Sequence, residues 1–402
     1  MDNQVTVPET VPETVPETVP ETAPASVPET IPAAVPETTP PEVPQTAPET
    51  PPAAVPETVP EGKERREKRR RSYAMPEMLT VSPSPHIKGP DTTSAVMFDV
   101  LVALTPALAW GVFRFGFRAL ILVILSVACS VAWEAAVQFL LKRPVTVTDL
   151  SAAVTGMLIG LNLPVTVPLW MPVVGSFFAI VIVKQLFGGI GKNFVNPALA
   201  ARVFLFSWAT EMSAFPVNGT RISSLAVTLP GTDAVTSATP LAAMKAGALP
   251  DTNLFGMIVG NMSGCVGEIS SILLLAGGVY LLIRKVITWQ IPAAYLGTVA
   301  VISLLFPRIE GAALESALYE LFAGSVILGA IFMATDYSTS PVTPGGRLIY
   351  GAGCGALTML IRYFGSYPEG VSFAILIMNL LVWYIDKAAM PRRFGGNTNG
   401  KQ

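Results

Sequence analysis

From Ser94 to the neighbourhood of Lys387 the chain is a succession of about ten apolar stretches, each near or slightly below the roughly 20 residues that carry a helix across a bilayer. They run at about 94–115, 118–141, 149–163, 169–189, 196–210, 263–283, 288–306, 317–335, 346–364 and 370–388. In lipid every backbone N–H and C=O must be satisfied internally, which restricts such segments to helices. The expectation is an all-α integral membrane protein. Composition agrees: 51% of residues are hydrophobic and 13% are charged, although the first 90 residues are polar and dilute the average. The third and fifth segments are short enough to be tilted, broken or half-inserted.

Lys and Arg concentrate on the cytoplasmic side of short loops. With ten spans both termini share a side. Lys63 to Arg71, Lys142, Arg143, Lys192, Arg284, Lys285, Arg347, Lys387, Arg392 and Arg393 all fall on that side. The other side receives only Arg114, Arg118, Arg221, Lys245, Arg308 and Arg362. A nine-span arrangement would separate the termini and spoil this asymmetry. The polar stretch at 211–262 between the two five-segment blocks therefore faces away from the cytoplasm. The chain divides into a repeat tail (1–62), a basic cytoplasmic segment (63–93), a first membrane block (94–210), the extracytoplasmic loop (211–262), a second membrane block (263–390) and a cytoplasmic tail (391–402).

The tail carries seven exact copies of Val-Pro-Glu-Thr. A proline every fourth residue forbids a continuous helix and favours an extended polyproline II spacer. The basic run after it fixes topology and could rest on anionic headgroups at about 1 kcal/mol per basic residue. Nucleic-acid binding does not fit a membrane chain of net charge −2. Cys129, Cys265 and Cys354 sit singly in or beside apolar segments, so the chain alone cannot supply four thiolates to a cubane cluster. With His86 the only histidine, a zinc site is equally unsupported, and no metal ligand set is assigned. No glycine-rich strand-to-helix turn of the dinucleotide type is present.

Within the long loop, Asp233-Ala-Val-Thr236-Ser237-Ala238-Thr239 matches the pattern Asp-x-x-Ser/Thr-Gly/Ser-Ala-Thr, at whose last threonine a flavin transferase esterifies the hydroxyl with the phosphate of FMN. Ser237 and Ala238 keep the approach small, and Asp233 is placed to orient the loop or to bind a metal in the transferase. A local turn closed by Asp and Thr hydroxyls would read the same way. Lys245 is near enough in sequence to screen a phosphodiester at Thr239. The charged groups within or close to the apolar segments are Asp99, Glu134, Lys184, Arg202, Glu268 and Asp336, which makes them functional candidates. Lys184 could instead snorkel, and Glu134 could pair with a neighbouring subunit. Arg202 is placed to pair with an acid or to contact a flavin.

Further strings point to a family. They are Ser84-Pro-His-Ile, Phe98-Asp-Val-Leu-Val-Ala-Leu-Thr-Pro-Ala, Gly191-Lys-Asn-Phe-Val-Asn-Pro-Ala-Leu-Ala-Ala-Arg-Val-Phe, Gly267-Glu-Ile-Ser and Met333-Ala-Thr-Asp-Tyr-Ser-Thr-Ser-Pro. With the threonine motif, and in this order, they resemble the RnfD/NqrB family, the flavin-bearing membrane subunits of the Rnf ion-translocating ferredoxin:NAD oxidoreductases and of the sodium-pumping quinone reductases. The likeness spans 81 to about 390. A core of about 310 residues resembles RnfD more than NqrB, whose members have a longer ordered amino-terminal region; the repeat tail departs from both.

The resemblance implies two inverted five-helix repeats in a urea-transporter-like fold, covalent FMN on Thr239, and room for a second, noncovalent riboflavin within the helices. It implies a bacterial or archaeal cell membrane, sister subunits carrying flavins and iron–sulfur clusters, a maturing flavin transferase, and coupling of electron flow to Na+ or H+ movement. Asp99, Glu268 and Asp336 lie inside family-like strings and are the candidates for that coupling; no catalytic residue is assigned to this chain. The rival readings are a urea-transporter-like channel or solute transporter and a scaffold that once bore flavin.

Overall fold

The computed structural model describes residues 92–217, 221–222, 238–247, 250, 252–309 and 312–390, which all belong to one compact unit, His86–Gln402. Among the described residues the chain is helical, without strands. The helices of six or more residues are α1 (Thr93–Phe115), α2 (Phe117–Leu140), α3 (Ser151–Leu161), α4 (Trp170–Gln185), α5 (Pro197–Leu205), α6 (Pro240–Lys245), α7 (Leu254–Val259), α8 (Ser271–Ile283), α9 (Gln290–Leu305), α10 (Ala313–Phe322), α11 (Val326–Met333), α12 (Pro344–Phe364) and α13 (Val371–Ala388). Among the described residues α1, α2 and α13 are long and apolar enough to cross a membrane, and α10 with α11 make a fourth such unit bent by 62°.

Local chemistry sets the ends. Thr92 caps α1 by accepting from the Ala95 N–H, and α1 stops at Gly116, whose φ of +92° lets α2 begin one residue later in a new direction. Ile222 donates its N–H to Phe115 O at this corner, and a side chain on Gly116 would meet the Ile222 carbonyl. Helix α3 is only 11 residues long and buried on nearly every side; it ends at Asn162, whose amide bonds back to Leu158 O, with Pro164 preventing continuation. Asn196 caps α5 by accepting from Ala198 and Leu199 N–H, and Pro197 occupies the first helical position, where no N–H is needed. The bend between α10 and α11 falls at Gly324, with φ of +73°.

The two tightest helix pairs use the same device. Gly156 and Gly160 of α3 lie against Val127 and Val123 of α2, and Gly351 and Gly355 of α12 lie against Ile291 and Tyr295 of α9. Each is a Gly-x-x-x-Gly face, which lets backbones approach where lipid supplies no hydrophobic drive. Helices α4 and α11 both close on wider turns, with Leu186 N bonding Val181 O and Ala334 N bonding Gly329 O, five residues back.

Two sequence expectations are revised here. The 263–283 stretch is helical only from Ser271; before it, Val266 and Gly267 N–H donate to Leu163 and Leu161 carbonyls, so this segment folds back on the end of α3. Lys184 does not snorkel and Glu134 needs no partner from another protein: the two are buried against each other at 2.7 Å, Lys184 Nζ also donates to Ser151 Oγ, and Gln185 donates to Glu134.

Candidate functional site

Proline at position 240 has a fixed φ and no N–H, so the residue before it is steered to extended backbone and the helix starts there. Thr239 accordingly has φ −68° and ψ 155° and caps α6, its Oγ1 accepting from Ala242 N–H at 3.3 Å. Ala238 is exposed, Thr239 half-buried and Pro240 buried, so the hydroxyl stands at the edge of the folded body. Lys245, at the far end of α6, donates through Nζ to the Gly365 carbonyl and so ties α6 to the end of α12. Asp233, Thr236 and Ser237 lie outside the described residues.

Beneath Thr239 is a cavity of about 60 Å³ bordered by Arg202, Phe206, Glu268, Tyr367 and Glu369. Arg202 reaches it from α5 and is 4% exposed. Its Nη1 donates to Asn162 Oδ1 at 2.7 Å and its Nη2 to Glu369 Oε2 at 2.5 Å. Nη2 also lies 3.7 Å from both Glu268 Oε1 and Cys265 Sγ, while its buried Nε has no hydrogen-bond partner among the described residues. Glu369, on the loop before α13, accepts from Ser325 N–H at 2.8 Å. Burial pushes the Glu369 carboxyl up, but the Arg202 guanidinium and the Ser325 amide outweigh it and hold the group down to about 2. Glu268 accepts from the Cys265 N–H. One guanidinium therefore faces two carboxyl groups in a desolvated wall.

The structure brings together Thr239, Arg202 and Glu268, which the sequence had flagged separately, and adds Glu369, which it had not. Glu369 sits in Tyr-Pro-Glu-Gly, outside every apolar stretch, and is 167 residues from Arg202 in the chain. Phe206, Phe373 and Tyr367 also join at this site: the Phe206–Phe373 and Tyr367–Phe373 rings stack at 5.9 and 5.6 Å, and the Arg202 guanidinium lies 5.9 Å from the centre of the Phe206 ring.

The remaining candidates lie elsewhere. Asp99 is buried on α1, accepting from Tyr280 Oη at 2.8 Å and pairing with Arg284 at 3.1 Å. Asp336, just after α11, accepts from Ser338 and Thr339 hydroxyls. It lines a second cavity of about 330 Å³ with Lys184, Asn193, Asn196, Thr155 and Tyr337. Between the two cavities the broken helix ends converge, since Asn162 and Asn196 both bond to Met333, one through its sulfur and one through its carbonyl.

Spanning helices, interrupted helices meeting at buried amides, and a loop threonine standing over a buried charge cluster define an integral membrane protein with a polar centre. Residues 80–395 match the model of the NQR2, RnfD, RnfE family, and the chain belongs to that family. It is 48% identical over 322 residues to the D subunit of the Na+-translocating ferredoxin:NAD+ oxidoreductase complex of Acetobacterium woodii, an alignment covering 79% of this chain and 95% of the relative. It is 41% identical to the D subunit of the proton-translocating ferredoxin:NAD+ oxidoreductase complex of Clostridium ljungdahlii, covering 79% and 96%. The D subunit of the ion-translocating oxidoreductase complex of Stutzerimonas stutzeri is 40% identical, covering 76% and 93%.

Proposed function

We propose that this chain is the D subunit of an Rnf-type ion-translocating oxidoreductase, carrying FMN as a phosphodiester of Thr239 on the extracytoplasmic side and relaying electrons between sister subunits that bear flavins and iron–sulfur clusters. The observation that carries the reading is Thr239 itself: the motif's last residue is a half-buried hydroxyl at the rim of a charged cavity, in a chain that covers nearly the whole length of its D-subunit relatives. Covalent FMN supplies the redox chemistry when attached; the chain's part is to fix its position and its charge environment. The 60 Å³ cavity lies far below the ~300 Å³ floor of ligand pockets, so it borders the attachment point and does not enclose an isoalloxazine. Thr239 holds the phosphate, and Arg202 is the cation bordering the same cavity. Asp233, Thr236, Ser237 and Ala238 are the recognition residues for the transferase, and Lys245 contributes positive charge on the same short helix.

The larger cavity has the volume of a small-molecule site and is where we place a second, noncovalent riboflavin. The topology we adopt has ten spans in two inverted blocks of five, with both termini cytoplasmic. Its support is the division of the apolar segments into two blocks of five around the 211–262 stretch and the concentration of Lys and Arg on one side. Asp99, Glu268 and Asp336 remain the coupling candidates; the relatives' names include both sodium and proton translocation, which suits charged groups that accept a monovalent cation.

The test uses inverted membrane vesicles holding the assembled complex. Thr239→Ala is expected to abolish ferredoxin-driven NAD+ reduction while the subunits still co-purify. Full activity in that variant would refute the relay, and passage of urea-sized solutes through the chain alone in liposomes would favour a transporter.

A further inference from the structure

Two carboxyls, Glu268 and Glu369, compete for one guanidinium in a dry wall. Both reach the same nitrogen, Nη2 of Arg202, at 3.7 and 2.5 Å. Glu268 is 3% exposed and Arg202 4%. Like charges this close in low dielectric cannot both ionise on a single counter-charge. The other ionisable groups facing the pair favour the charge on Glu369 and give no such help to Glu268. Cys265 comes from the same fold-back as Glu268, Tyr295 from α9 and Tyr367 from the cavity rim, and none of these carries positive charge; Arg362 of α12, bound to Glu320 at 2.7 Å beside Arg308, adds a favourable charge that acts on Glu369. Among the described residues the buried Nε of Arg202 has no hydrogen-bond partner.

We infer that Glu268 and Glu369 act as one unit that holds a single exchangeable proton against Arg202, directly under Thr239. Glu369, bound by both Arg202 and the Ser325 amide, keeps the charge, and the proton resides on Glu268. The pair is thus a proton-binding site whose affinity depends on the charge above it: negative charge arriving at the group on Thr239 strengthens its hold, and loss of that charge weakens it. Glu369 acts here as a positioning residue, because its negative charge adds to burial in keeping the proton on Glu268.

The dependence on charge at Thr239 rests on the proposed flavin, whereas the proton-holding pair does not and is tested without it. The full-length chain is expressed without a flavin transferase, reconstituted in nanodiscs, and titrated between about pH 6 and pH 9 by infrared spectroscopy of protonated carboxyl groups. One protonated carboxyl per chain is expected at neutral pH, deprotonating as pH rises. Its band is expected to vanish in Glu268→Gln and also in Glu369→Gln, since either substitution leaves one carboxylate alone with Arg202. Circular dichroism establishes that each variant is folded. Absence of the band from the parent chain, or its survival in Glu369→Gln, overturns the inference. Failure of flavin attachment at Thr239 would leave this result untouched.

Discussion

Arg202→Leu is expected to lower the stability of the solubilised protein by about 3–5 kcal/mol, because it strands the Glu369 carboxylate in a buried wall where the remaining cation that acts on it, Arg362, is held by Glu320. It also removes the donor to Asn162, the residue that ends α3 and contacts Met333 of α11, so the loss is felt where three broken helices meet. The pH dependence has a definite sign. Arg202 depresses the Glu369 pKa, so in the parent chain this contribution is complete above the unfolded value of about 4.3 and is lost as pH falls towards about 2. The variant lacks it, and its deficit relative to the parent therefore narrows over the same acid range. Thermal unfolding of both proteins in detergent across that range measures the effect; an equal Tm at neutral pH would contradict it.

Gly156→Leu is expected to prevent α3 from seating on α2. A Cβ there would lie 2.6 Å from the Val127 Cα and 2.7 Å from the Ser126 carbonyl, both backbone atoms that cannot move aside as a side-chain tip could. Overpacking of this kind costs about 1–3 kcal/mol where a core can relax, and more where backbone is the obstacle. The consequence reaches the site, because α3 carries Asn162 at its end and the Ser263–Ser270 fold-back rests on Leu161 and Leu163. Gly297→Leu on α9 is the matched control: nothing lies within 4 Å of its Cβ position, and it faces outward. The first variant should yield aggregated or protease-sensitive protein and the second normal yield; comparable yields would contradict the packing argument.

These expectations show which parts of the architecture a linear reading reaches. Apolar length locates α1, α2, α12 and α13 to within a few residues, and the Asn-Leu-Pro and Asn-Pro punctuation marks the early end of α3 and the start of α5, because proline and cap residues act locally. Hydropathy averaged over a window does not detect that Ser263–Ser270 leaves the helical path, since the deciding bonds go to Leu161 and Leu163, about a hundred positions earlier. The bend at Gly324 is missed for the same reason. At the site, Thr239 is visible as a motif and Arg202 and Glu268 as costly charges, whereas Glu369 looks like an ordinary loop acid until the fold brings α5 beside it. Lys184 and Glu134 are likewise two isolated liabilities in the sequence and one ion pair in the structure.

In-gel flavin fluorescence of the denatured chain, co-expressed with a flavin transferase of proven activity, tests the central claim most directly. The parent chain is predicted to give a fluorescent band that survives denaturation, and Thr239→Ala to give none at equal protein loading. A dark parent band, or a variant as bright as the parent, would contradict the assignment of Thr239 as the flavin-bearing residue.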